Sequence, residues 1–89
     1  MLHLTIQSRN SDEVVLSVHG WLMGENVALL KQEGEKWFQD GLHLVLDLSP
    51  LRFIDADGLH LLREWAGERL ELRGGSLFIR GQIEQADPL

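Results

Sequence analysis

A chain of 89 residues, 44% hydrophobic and 25% charged, has the composition of one small folded domain rather than a disordered segment. Its 14 acidic against 8 basic residues give a formal charge of −6, which repels nucleic acid and anionic lipid where no basic cluster offsets it, and the sequence carries no such cluster. The absence of cysteine removes disulfides, thiolate catalysis and cysteine-based metal sites, and no apolar run approaches the roughly 20 residues of a membrane helix. The start, Met1 to Thr5, lacks the basic and apolar blocks of a secretory signal, so a cytoplasmic location without direct membrane insertion is expected.

In chain order, Leu2, Leu4 and Ile6 alternate with polar residues, and Val14, Leu16 and Val18 repeat the same period of two. The turn-rich Arg9-Asn10-Ser11-Asp12 between them predicts a β-hairpin. After Gly20 the spacing of Val27, Leu30, Gly34, Trp37 and Phe38 predicts a first helix, ended by Asp40-Gly41. Leu42 to Leu48 is almost wholly apolar, as a central strand should be. A second helix is predicted from Asp57 to about Leu72, with Leu59, Leu62, Ala66 and Leu70 along one stripe. Gly74-Gly75 then breaks the chain before a fourth strand, Ser76 to Arg80. The expected fold is α/β: a mixed four-stranded sheet with an N-terminal β-hairpin and two crossover helices, forming one domain over residues 1–81 with a short tail over 82–89.

Little in this sequence supports catalysis. His3, His19, His43 and His60 have no metal-ligand spacing, no glycine-rich phosphate loop is present, and none of the serines sits in a nucleophile elbow. Asp47, Asp55 and Asp57 could meet at one end of the sheet, where paired carboxylates would suit acid/base work. The simpler role for Asp55 or Asp57 is to cap the second helix, worth about 1 kcal/mol, or to oppose its dipole. No catalytic residue, metal or cofactor is therefore assigned.

The three tryptophans point elsewhere. Trp37 belongs to the core stripe of the first helix, whereas Trp21 follows a strand end beside Leu22 and Met23. Trp65 shares a stripe with Leu61 and Leu72, offset from the Leu59, Leu62, Ala66 stripe. One small sheet cannot cover both stripes, so the second helix is either buried on two sides or offers a face to a partner, a second copy included.

Taken together, Val45-Leu46-Asp47-Leu48-Ser49, Leu51-Arg52-Phe53-Ile54-Asp55, Gly58-Leu59, Leu62 and the later Arg73-Gly74-Gly75 resemble the STAS domain family. That family includes bacterial anti-sigma factor antagonists, the cytoplasmic tails of sulfate transporters and small subunits of lipid-transport systems. The resemblance implies a regulatory protein-protein interaction module, not an enzyme. In the antagonists a Ser or Thr just before the motif glycine is phosphorylated by a kinase that is also the anti-sigma factor. Here Asp57, preceded by Ala56, occupies that acceptor-equivalent position, so neither residue carries a hydroxyl and the phosphorylation switch is not carried over. The family also continues past its last strand with a further helix, and on the four-strand reading this chain is truncated before it.

A receiver domain phosphorylated on Asp47 is the competing resemblance, through Asp47, Pro50 and Asp57-Gly58-Leu59. The interval from Asp47 to Gly58 is too long for it, and no acidic pair follows the first strand to hold magnesium. The expected functional surface is the helix start Asp55, Ala56, Asp57 and Gly58, the side of the second helix bearing His60, Leu61, Glu64 and Trp65, and the loop with Trp21 and Met23. Its expected occupant is a protein, either an anti-sigma factor and kinase or, in a lipid or ABC-type transport system, the transporter ATPase.

Overall fold

A computed structural model describes residues 1–85, apart from the side chains of Ala66 and Gln85. The elements are β1 (Leu2–Arg9), β2 (Glu13–Leu22), α1 (Asn26–Gln39), β3 (His43–Asp47), β4 (Leu51–Ile54), α2 (Ala56–Glu64), a 3₁₀ turn (Trp65–Gly67), β5 (Leu70–Arg73) and α3 (Leu77–Gln85). The mixed α/β architecture and the N-terminal hairpin are as the sequence predicts. The sheet has five strands, not four.

β2 organises the sheet because it is long enough to serve three partners. It pairs antiparallel with β1, parallel with β3 through Glu13 to Ser17, and parallel with β4 through Gly20 to Leu22. β5 adds parallel to β3, giving the order β1-β2-β3-β5 with β4 on the distal part of β2. Alternation sorts the side chains by face. Val14, Leu16, Val18, Leu44 and Leu46 enter one core cluster with Leu30 and Trp37 of α1, Leu61 and Leu62 of α2, Trp65 and Ile79 of α3. Residues between them, such as Val15, Ser17, Val45 and Asp47, face the opposite side of the sheet.

Three expectations are corrected. The second helix ends at Glu64 instead of Leu72, because a 3₁₀ turn follows and Leu70 to Arg73 form β5, with Leu70 and Leu72 half-buried and Glu71 and Arg73 exposed. Ser76 to Arg80 are not a strand: the Ser76 hydroxyl accepts the Ile79 N–H (3.1 Å), capping α3, and Ile79 and Ile83 then fall on one helical stripe against the core. A helix therefore follows the last strand, where truncation was expected. Residues 82–85, expected as tail, belong to that helix, while the rest of the expected tail, 86–89, lies outside the described residues.

Candidate functional site

β4 feeds directly into α2 at Asp55, whose extended backbone and carboxylate make it the N-cap. One carboxylate oxygen accepts the Gly58 N–H (2.9 Å) and the other accepts the Gly24 N–H (2.9 Å). The Asp55 N–H in turn donates to the Leu22 carbonyl (3.1 Å). One side chain thus satisfies an orphan donor of α2 and fastens the β2–α1 loop, with Met23, beside the helix start. Gly58 has its own reason: a Cβ there would stand 2.8 Å from both Ile54 Cγ1 and the Leu22 carbonyl oxygen, so α2 can approach the strand ends only without a side chain.

Asp57, two residues after Asp55, differs in kind. It is exposed and acidic in the first turn of α2, and among the described residues its carboxylate has no hydrogen-bond or ion-pair partner. It contributes to stability only through the helix dipole, while its charge points to solvent. Ala56 beside it is also exposed.

The Trp21 side of the expected surface is brought close and enlarged. Trp21 is 50% exposed and Met23 37% exposed, and Trp21 is the register partner of Phe53 on β4, itself 39% exposed. Register partners on adjacent strands share a face, so two exposed aromatics stand side by side. Phe53 is absent from the expected surface because a strand as short as Leu51–Ile54 shows no period in the sequence that would pair it with Trp21. Leu22 alternates to the other face and is fully buried.

The second helix departs from expectation. His60 is exposed, but Leu61 and Trp65 are buried, at 2% and 3% exposure, and cannot be surface anchors. The first helix supplies the cover that the sheet could not. Gly34 leaves room on α1 for the Trp65 indole, and Phe38 meets that ring edge-on with centroids 5.3 Å apart. Glu64 is tied across the same helix pair to Lys31 (3.5 Å), an exposed ion pair of small energetic weight.

Asp47 does not join the other two aspartates as a functional cluster. Its carboxylate accepts the Gln7 amide (2.7 Å) and the Ser49 N–H (3.0 Å). The Ser49 and Gln7 hydrogen bonds, with the Arg73 guanidinium nearby, hold its pKa below the usual carboxylate range against a small opposing effect of burial. Among the described residues no three His, Asp or Glu side chains converge as metal ligands, and no helix is long and apolar enough to cross a membrane.

The two crossover helices thus carry a capped, tightly seated helix start directly after β4. Residues 6–86 match the family described as "Mlab, STAS domain", nearly the whole chain, and the protein belongs to the STAS domain family. Its fold is similar to that of the anti-sigma factor antagonist SpoIIAA in its unphosphorylated form, with a TM-score of 0.71 at 20% identity, covering 97% of this chain and 84% of that one. No curated protein matches it by sequence. The receiver alternative falls with this topology, since an antiparallel β1–β2 hairpin opens the chain where a receiver has a wholly parallel, doubly wound sheet.

Proposed function

We propose that this protein is a non-enzymatic regulatory module that acts in the cytoplasm by binding a protein partner through the start of α2. The surface consists of Asp57 and Ala56, exposed His60, and the neighbouring apolar group Met23, Trp21 and Phe53. Asp55 and Gly58 belong to its foundation: they fix the helix start instead of touching the partner. The observation that carries the reading is the contrast between Asp55, whose two oxygens are both engaged within the fold, and Asp57, whose charge is free at a helix start beside exposed aromatics. A basic partner surface with an apolar pocket complements that combination.

Asp57 stands where the antagonists of the family carry their phosphorylated hydroxyl. A carboxylate there supplies a constant negative charge, about half that of a phosphate, with fewer acceptor oxygens. The partner reads it without a kinase step. This favours, as a second reading, a permanently assembled accessory subunit of a lipid or ABC-type transport system, bound to its ATPase, over a switched anti-sigma factor antagonist. Capture from a lysate of the source organism tests both. Wild type and Leu77→Lys, altered far from α2 in sequence, should retain one partner that Trp21→Glu and Asp57→Lys lose, and the partner's identity separates the two readings. Equal capture by all four proteins would refute the surface.

A further inference from the structure

β1 is an edge strand whose first residues adjoin Trp21. Among the described residues its only strand neighbour is β2, so one side of the strand is unpaired. The Trp21 N–H donates to the Met1 carbonyl (2.8 Å), which fixes the phase of the antiparallel ladder. Hydrogen-bonded and non-bonded pairs alternate, so His3 and Thr5 exchange bonds with their register partners His19 and Ser17. The N–H and C=O groups of Leu2, Leu4 and Ile6 therefore point outward.

These same three residues carry the apolar side chains on the helix-facing side of the strand. Leu2 and Leu4 pack against the core, while Ile6 remains 48% exposed. Beside them a groove of about 370 Å³ runs between β1 and α1, lined by Leu2, Leu4, Leu29, Gln32, Glu33 and Lys36, with Leu29 53% exposed. Exposed strand edges are commonly blocked by lysine, proline or an inward charge. Leu2 to Ile6 has none of these, and the bulge between Ile6 and Ser8 comes only after that stretch.

We propose that the β1 edge pairs with the β1 edge of a second copy of this chain, antiparallel about a two-fold axis at Leu4. The outward residues then match as bonded pairs, Leu4 with Leu4 and Leu2 with Ile6, and every outward N–H and C=O of that stretch finds a partner. The two sheets become continuous, both sets of helices lie on the same side, and the half-exposed Ile6 of each copy reaches the groove beside Leu2 and Leu29 of the other. Local charge permits it despite the overall −6. Glu33 and Lys36 neutralise each other at the groove (3.4 Å), and Arg9 lies over the Trp37 ring (4.7 Å). A strand pair this short covers less than the roughly 800 Å² per partner of a standard interface, so the dimer is concentration-dependent.

Sedimentation equilibrium of the full chain over a wide concentration range tests the proposal. The weight-average mass should rise toward twice the monomer value. Ile6→Lys should weaken association roughly tenfold or more, while Leu77→Lys, outside the interface, leaves it unchanged. Hydrogen exchange of the wild type gives a readout independent of any variant's folding: the Leu2, Leu4 and Ile6 amides should gain protection as concentration rises. A wild type that stays monomeric, a dimer that survives in folded Ile6→Lys, or edge amides whose exchange ignores concentration would each overturn the proposal.

Discussion

β3 and β4 both run parallel to β2 and both hand over to an aspartate, Asp47 in one case and Asp55 in the other, yet the segments beyond them differ. After Asp47 the chain turns within a few residues, and the carboxylate is absorbed by Ser49 and by Gln7 reaching over from β1. After Asp55 the chain becomes a helix, Asp55 takes the cap, and the negative charge that remains, Asp57, is left in solvent on the first turn. A carboxylate engaged inside the fold is part of the architecture. One that the fold leaves free at a helix start, beside exposed Trp21, Met23 and Phe53, is available for recognition.

Substitutions can break that contrast in order of effect. Leu61→Glu should be the most damaging, because it removes a buried leucine from beneath α2 and puts a carboxylate in its place. We expect a loss of at least ~4 kcal/mol, read as collapse of the cooperative thermal transition. Were the protein to stay folded with normal stability, α2 would have to present Leu61 outward after all. Asp55→Ala should cost about 2–3 kcal/mol in urea unfolding, since both the helix cap and the tie to Gly24 are lost. A loss under half of that would mean that the two hydrogen bonds do not hold the β2–α1 loop in place.

Asp47 gives the comparison its pH dependence. Its folded pKa lies below the ordinary carboxylate value, so its stabilisation is fully present above the ordinary range and is lost as pH falls through the folded value. Asp47→Asn should therefore flatten the fall in urea midpoint between about pH 6 and about pH 3, while lowering the midpoint at the upper end. An unchanged acid profile would remove the hydrogen bonds from Gln7 and Ser49 as its cause. Asp57→Ser should change stability least, by under about 1 kcal/mol, because only a helix-dipole interaction is lost.

The sequence made some of this legible and hid the rest for physical reasons. The alternation in β1 and β2, the α1 stripe and the apolar β3 each repeat their pattern long enough to be unambiguous. β4 is only Leu51–Ile54, too short to display a period, and it hid the Trp21–Phe53 pair with it. In β5, Leu70 and Leu72 fit equally well as the ends of the two helical stripes, which makes α2 look longer than it is. That overextended helix had more apolar surface than one sheet could bury, and Leu61 and Trp65 were assigned outward. The missing information was Gly34, whose bare backbone lets α1 receive the Trp65 indole. Asp57, Trp21 and Met23 lie around one strand-to-helix junction, where β2, β4 and the start of α2 meet.

The most direct test of the central claim is calorimetric titration of the partner recovered by capture, once purified, against wild type, Asp57→Ser and Asp57→Lys. A recognised free charge predicts progressive weakening, with Asp57→Lys binding at least about tenfold more weakly than wild type while still folding with a cooperative thermal transition. Equal affinities for all three proteins would contradict the claim that the partner reads Asp57.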